Sequence, residues 1–112
     1  MQDGPTVGVS FDPKANPQFT FDNERVTMRA AGKILLIQRP ASQRWTFRDA
    51  EVKDDTLNQF SSTVLGSGQS LHINDEFRDR TLTEYSYNVT VELDGRTFTS
   101  PDPVIVNDPD DR

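Results

Sequence analysis

Cysteine is absent from the 112 residues, which excludes disulfides, thiolate nucleophiles and cysteine-ligated metal centres. Histidine occurs once, at His72, so a structural zinc site has no ligand set to draw on. Long apolar runs are missing too. The longest is Ile34-Leu35-Leu36-Ile37, far short of the roughly 20 residues a membrane-spanning helix needs. The opening MQDGPTVGVS has no charged start leading into an apolar stretch, so no signal peptide is expected and the expected setting is cytoplasmic. Positive charge is scarce: 12 Lys and Arg stand against 18 Asp and Glu, a net charge of −6, and no basic run exceeds two residues. Nucleic acid and anionic membrane surfaces, which both select clustered basic side chains, are therefore not expected partners.

Leu, Ile, Val and Phe together number 27, about a quarter of the chain and above the roughly 20% level below which disorder is the rule. One folded domain over residues 1–112 is expected, with residues 107–112 (NDPDDR) too polar to pack and frayed. Short β-like segments alternate with turn signals every 8–12 residues, the pattern of an all-β domain. Val7, Val9 and Phe11 alternate with polar or small residues, as do Phe19 and Phe21, then Val26, Met28 and Ala30. The run Lys33 to Gln38 does not alternate and reads as a strand covered on both faces. Trp45 and Phe47 mark a half-buried strand, and Leu71 and Ile73 flank His72 in another. The stretch DDTLNQF fits either one capped helical turn or a loop.

The clearest order lies in EYSYNVTVELDGRTFTSPDP, Glu84 to Pro103. Tyr85, Tyr87, Val89, Val91 and Leu93 share one face of a strand, and Asp94-Gly95 suits a two-residue type I′ turn. That turn predicts pairing of Leu93 with Arg96, Val91 with Phe98, and Val89 with Ser100. Pro101 and Pro103 cannot donate to a ladder and predict a bend or protected edge before Val104-Ile105-Val106. The sum is a single immunoglobulin-like β-sandwich of about seven to nine short antiparallel strands, with a small β-barrel as the alternative.

The residues YSYNVTVELDG and SPDPVIVNDP, between Tyr85 and Pro109, resemble the DP-EP family of small bacterial proteins. A similar exit occurs in bacterial inclusion-body proteins of PixA type. The resemblance implies a compact β-sandwich and brings no catalytic residues to carry over. The chain departs from the family's pattern in one respect: Asp108-Pro109 stands where a Glu-Pro element is expected.

Candidate chemistry is sparse. His72 sits in SLHIND opposite Leu71 and Ile73 and is expected to face solvent, and no G-x-S-x-G nucleophile elbow occurs. No catalytic residue, cofactor or enzymatic activity is expected. Asp94, Asp102 and Asp108 gather towards the C-terminus and are the candidate ligands of a weak calcium site in the end loops. Asp75, Glu76 and Asp79, interleaved with Arg78 and Arg80, form a second acidic patch. Arg44 and Arg48 flank Trp45 and are the candidate frame of an anion or peptide site. The expected function is a non-enzymatic interaction or structural domain that binds a protein partner or self-associates. The alternative is a ligand-binding module for calcium, carbohydrate or a small anion.

Overall fold

The computed structural model describes residues 2–109, with side chains from residue 4 onward. Ten strands and no helix are formed among them: β1 Gln2–Phe11, β2 Phe19–Phe21, β3 Arg25–Met28, β4 Gly32–Gln38, β5 Thr46–Val52, β6 Phe60–Leu65, β7 Ser70–Asp75, β8 Thr83–Leu93, β9 Arg96–Thr99 and β10 Val104–Asn107. They make two open sheets. Sheet one runs β2-β1-β4-β7-β6; sheet two runs β3-β10-β8-β5, with β9 added beside β8. Neither sheet closes, so the architecture is a β-sandwich and not a barrel.

The hairpin predicted at Asp94-Gly95 forms in the predicted register. Leu93 pairs with Arg96 and Val91 with Phe98, and the Ser100 N–H donates to the Val89 carbonyl at 2.8 Å. Asp94 and Gly95 take φ of 53° and 79°, as a type I′ turn requires. The segment DDTLNQF forms turns and no helix.

Two expectations change. The sheets are mixed, because β1 pairs parallel with β4 and β10 pairs parallel with β3. Alternation alone specifies a strand's faces and is silent about its direction. Residue 107 does not fray: Asn107 closes β10 and is fully buried, and the Asp108 N–H donates to the Met28 carbonyl at 2.8 Å. Residues 110–112 lie outside the described residues.

The core sits between the sheets. Val7, Leu36 and Leu71 form one fully buried inward row across sheet one, and Ile34 and Ile73 form the next. β4 is central, yet its second face is only partly covered, leaving Leu35 and Ile37 half-buried. Burial fades towards β6. In the first row the β6 residue is Val64, 38% exposed; in the second it is the small residue Ser62, opposite Ile73.

Candidate functional site

The predicted binding residues are separated by the fold. Trp45 is buried at 3% exposure, edge-on to Phe11 and Phe47 at 6.0 and 5.0 Å between ring centres. It is a core residue, so no indole face is offered to a ligand. Arg44 reaches Asp94 across 2.5 Å, and Arg48 reaches Glu92 across 3.2 Å. Both are exposed ion pairs that hold their charge in solvent.

The three candidate metal ligands are likewise apart. Asp94 lies in the β8–β9 turn, at the C-terminal end of β8, while Asp108 follows β10, whose last residue pairs with the first residue of β8. Some ten strand residues separate those two ends of β8, about 30 Å at 3.3 Å per residue. Asp102 accepts Lys53 Nζ at 2.9 Å and Asn88 Nδ2 at 2.6 Å, and these contacts hold its carboxyl below the usual range. Asp108 pairs with Arg29 at 3.2 Å. No group of three or more acidic or histidine side chains suited to a metal ion occurs among the described residues. His72 is half-buried on the outer face of sheet one, beside Leu35 and Thr63.

What the fold does assemble is a polar cluster at the N-terminal end of β8. Asp79 accepts from Tyr85 OH at 2.9 Å, from Gln59 Nε2 at 3.0 Å and from Asn107 Nδ2 at 3.0 Å. Asn107 Nδ2 also lies 3.2 Å from Asp75 Oδ1, which accepts the Phe77 N–H at 2.9 Å. The Gln59 side-chain oxygen takes the Arg78 N–H at 2.6 Å, and the Asp55 carboxylate takes the N–H groups of Gln59 and Phe60, each at 3.0 Å. Gln59, Asp75 and Asn107 are each at most 1% exposed. The network therefore ties the β5–β6 and β7–β8 loops to the ends of β8 and β10. Burial, reinforced by the Asp79 contact, pushes the Tyr85 hydroxyl up to about 12, so it stays a donor.

Two oxygens in this cluster, Asp75 Oδ2 and Asn107 Oδ1, are buried without a donor among the described residues. A buried carboxylate is costly without compensation. Burial, with smaller contributions from the Asp79 and Asp55 charges, raises the Asp75 pKa from 3.8 to about 6, against the lowering effect of its Phe77 and Asn107 hydrogen bonds. A proton on Asp75 removes the buried charge and turns one orphan acceptor into a donor. A cavity of about 520 Å³ opens beside this cluster, lined by Lys53, Asp54, Leu57, Asp79, Glu84 and Tyr85 among others.

Residues 59, 75 and 107 escape a motif search because they are far apart in sequence. One signal does point to two of them. Asp75 continues the inward parity of Leu71 and Ile73, and Asn107 continues that of Ile105. A polar residue in phase with an apolar face must find partners inside.

A second opening lies on the flank where β5 and β6 are the edge strands of the two sheets. Here the small residues Ala50 and Ser62 leave a cleft of about 250 Å³ between the sheets, with Val52 and Phe60 on its walls and Ile73 at its floor. Asp49 bridges the mouth by accepting from Ser62 Oγ at 3.1 Å. At one end the Phe47 N–H donates to the Gly68 carbonyl at 2.8 Å, joining β5 to the β6–β7 turn.

The sequence pattern of the DP-EP family matches residues 3–109, so the likeness read at Tyr85–Pro109 extends over nearly the whole chain. The chain belongs to the DP-EP family. No curated protein matches it. Among solved structures it is similar to an NMR structure of a protein from Bacteroides thetaiotaomicron, at 15% identity and a TM-score of 0.41, over 81% of this chain and 80% of that one.

Proposed function

We propose that this DP-EP family member is a non-enzymatic, immunoglobulin-like interaction domain that engages a protein partner. The observation that supports this reading best is the open flank: two unpaired edge strands beside a cleft that reaches a core side chain, Ile73. An edge strand offers a row of backbone donors and acceptors to another chain. The polar residues that would serve small-molecule chemistry are instead spent on internal hydrogen bonds and exposed ion pairs. The working setting in this reading is the cytoplasm, with neither nucleic acid nor membrane as partner. Affinity capture with the immobilised domain, followed by reconstitution from purified components, tests it. A stoichiometric complex is expected, and a domain that reconstitutes no complex with any captured protein contradicts the reading.

The second reading is a ligand-binding module, favoured by the 520 Å³ cavity beside Asp79 and Tyr85. Ligand that binds only the native state raises the melting temperature. A melt against millimolar calcium, a sugar panel and small anions is expected to shift upward if this reading holds and to stay fixed if it does not.

A further inference from the structure

The open flank has two edges, and they are not equivalent. β5 carries the charged residues Arg48, Asp49 and Glu51, and its ladder with β8 is broken by a register shift between Phe47 and Asp49. Charges and bulges are the devices that keep an edge from pairing with another chain. β6 has neither. Its six residues, Phe-Ser-Ser-Thr-Val-Leu, contain no charge and no proline, and they pair with β7 in unbroken register from Phe60 to Leu65.

The direction of its free backbone groups follows from one hydrogen bond. The Phe60 N–H points away from β7, because it donates to the Asp55 carboxylate. In an antiparallel ladder the backbone groups of alternate residues point the same way. Ser62 and Val64 therefore also present their N–H and C=O outward, while Ser61 and Thr63 bond to β7. A strand laid along this edge would extend sheet one from five strands to six. Its inward side chains would cover Val64 and enter the cleft over Ile73, between Ala50 and Ser62.

We infer that β6 is the docking edge, and that its occupant is an extended peptide whose inward-facing side chains are small apolar residues flanked by basic ones. This inference rests on the interaction reading above. The cleft accounts for the small apolar positions, since about 250 Å³ is room for small side chains. Charge accounts for the basic ones on that same face: Glu51 and Asp55 line the cleft, Asp49 bonds the inward-facing Ser62, and the chain as a whole carries −6. Pairing β6 with the β6 of a second copy would bring two acidic rims together. A second copy is therefore the disfavoured occupant.

The test uses a short synthetic peptide in which lysine, valine and lysine occupy alternate positions with serine between them, so that all three share one face, titrated into the isotopically labelled protein. An otherwise identical peptide with glutamate in place of both lysines is the control. Amide shifts confined to β6 and the cleft are expected with the lysine peptide, and affinity at least about tenfold weaker with the glutamate peptide, a difference of about 1.4 kcal/mol. Ser62→Pro removes an outward donor that the fold does not use, which an edge strand accommodates, and is expected to abolish binding. Val64→Pro does the same while keeping the Ser62 hydroxyl, so a folding defect in one variant leaves the other to report. Binding that survives both proline variants, shifts outside the flank, equal binding of both peptides, no binding of either, or β6-mediated dimers in place of a peptide complex would each overturn the inference. A protein complex, reconstituted as above, that both proline variants retain would overturn the β6 assignment while leaving the interaction reading intact.

Discussion

β5 and β6 are consecutive in the chain and lie on the same flank, yet they meet solvent differently. β5 defends its free edge with charge and a register shift. β6 is regular and uncharged, and its flank is tied at its start, where Asp55 takes the N–H groups of Gln59 and Phe60, and at Ser62, whose hydroxyl donates to Asp49. The difference shows that an edge strand's composition and an edge strand's accessibility are separate properties. β5 is polar because it must stay unpaired; β6 is neutral although, among the described residues, no strand pairs with its outward edge. The contrast is strongest at Ser62, where a small polar side chain takes the inward place that apolar residues hold elsewhere in its row.

The contrast can be broken from below by removing the floor that both edges share. Ile73 is 1% exposed, and Ile73→Ala should cost about 2–5 kcal/mol in denaturant unfolding, from lost burial plus the cavity left behind. A cost under about 1 kcal/mol would mean the cleft already leaves Ile73 loosely packed. The next effect is set by Asp75, which stands opposite Phe60 where β6 begins. Its folded-state pKa is raised from 3.8 to about 6, so the protonated form is the one folding favours. The stabilisation is complete below about pH 4 and is lost as pH rises through about 6, at a cost of up to about 3 kcal/mol. Asp75→Asn should flatten that part of the pH–stability profile; an unchanged slope in the variant would assign it to another group.

Smaller changes sharpen the comparison strand by strand. Asp55→Ala leaves the Gln59 and Phe60 N–H groups without their acceptor and should cost about 1–2 kcal/mol, with faster amide exchange at the start of β6. If β6 exchange is unaffected, Asp55 is not what anchors the edge. On β5, Arg48→Ala removes only a pair whose side chains are 59% and 35% exposed, and should cost less than about 1 kcal/mol. A larger loss would mark Arg48 as part of the packing of that edge.

The sequence reading succeeded where the determinants are local. The Asp94-Gly95 turn and the five alternating residues of β8 specify a register without reference to the rest of the chain, and that register is the one formed. It failed where partners are distant. The parallel pairing of β1 with β4 and of β3 with β10 depends on how the chain crosses between sheets, which no alternation encodes. Asn107 reads as the start of a polar tail because Asp and Pro follow it, although its parity with Ile105 points inward. Asp94, Asp102 and Asp108 are neighbours in sequence density only; strand direction sends Asp94 and Asp108 to opposite ends of β8. Trp45 followed the commoner fate of an alternating aromatic and entered the core.

Amide hydrogen exchange along β6 in the free protein tests the central claim most directly. The account predicts alternation: Ser62 and Val64 exchange fast, while Ser61 and Thr63, bonded to β7, exchange slowly. Uniform protection from Ser61 to Val64 would contradict it, because the outward N–H groups would then already have partners and the edge would not be open.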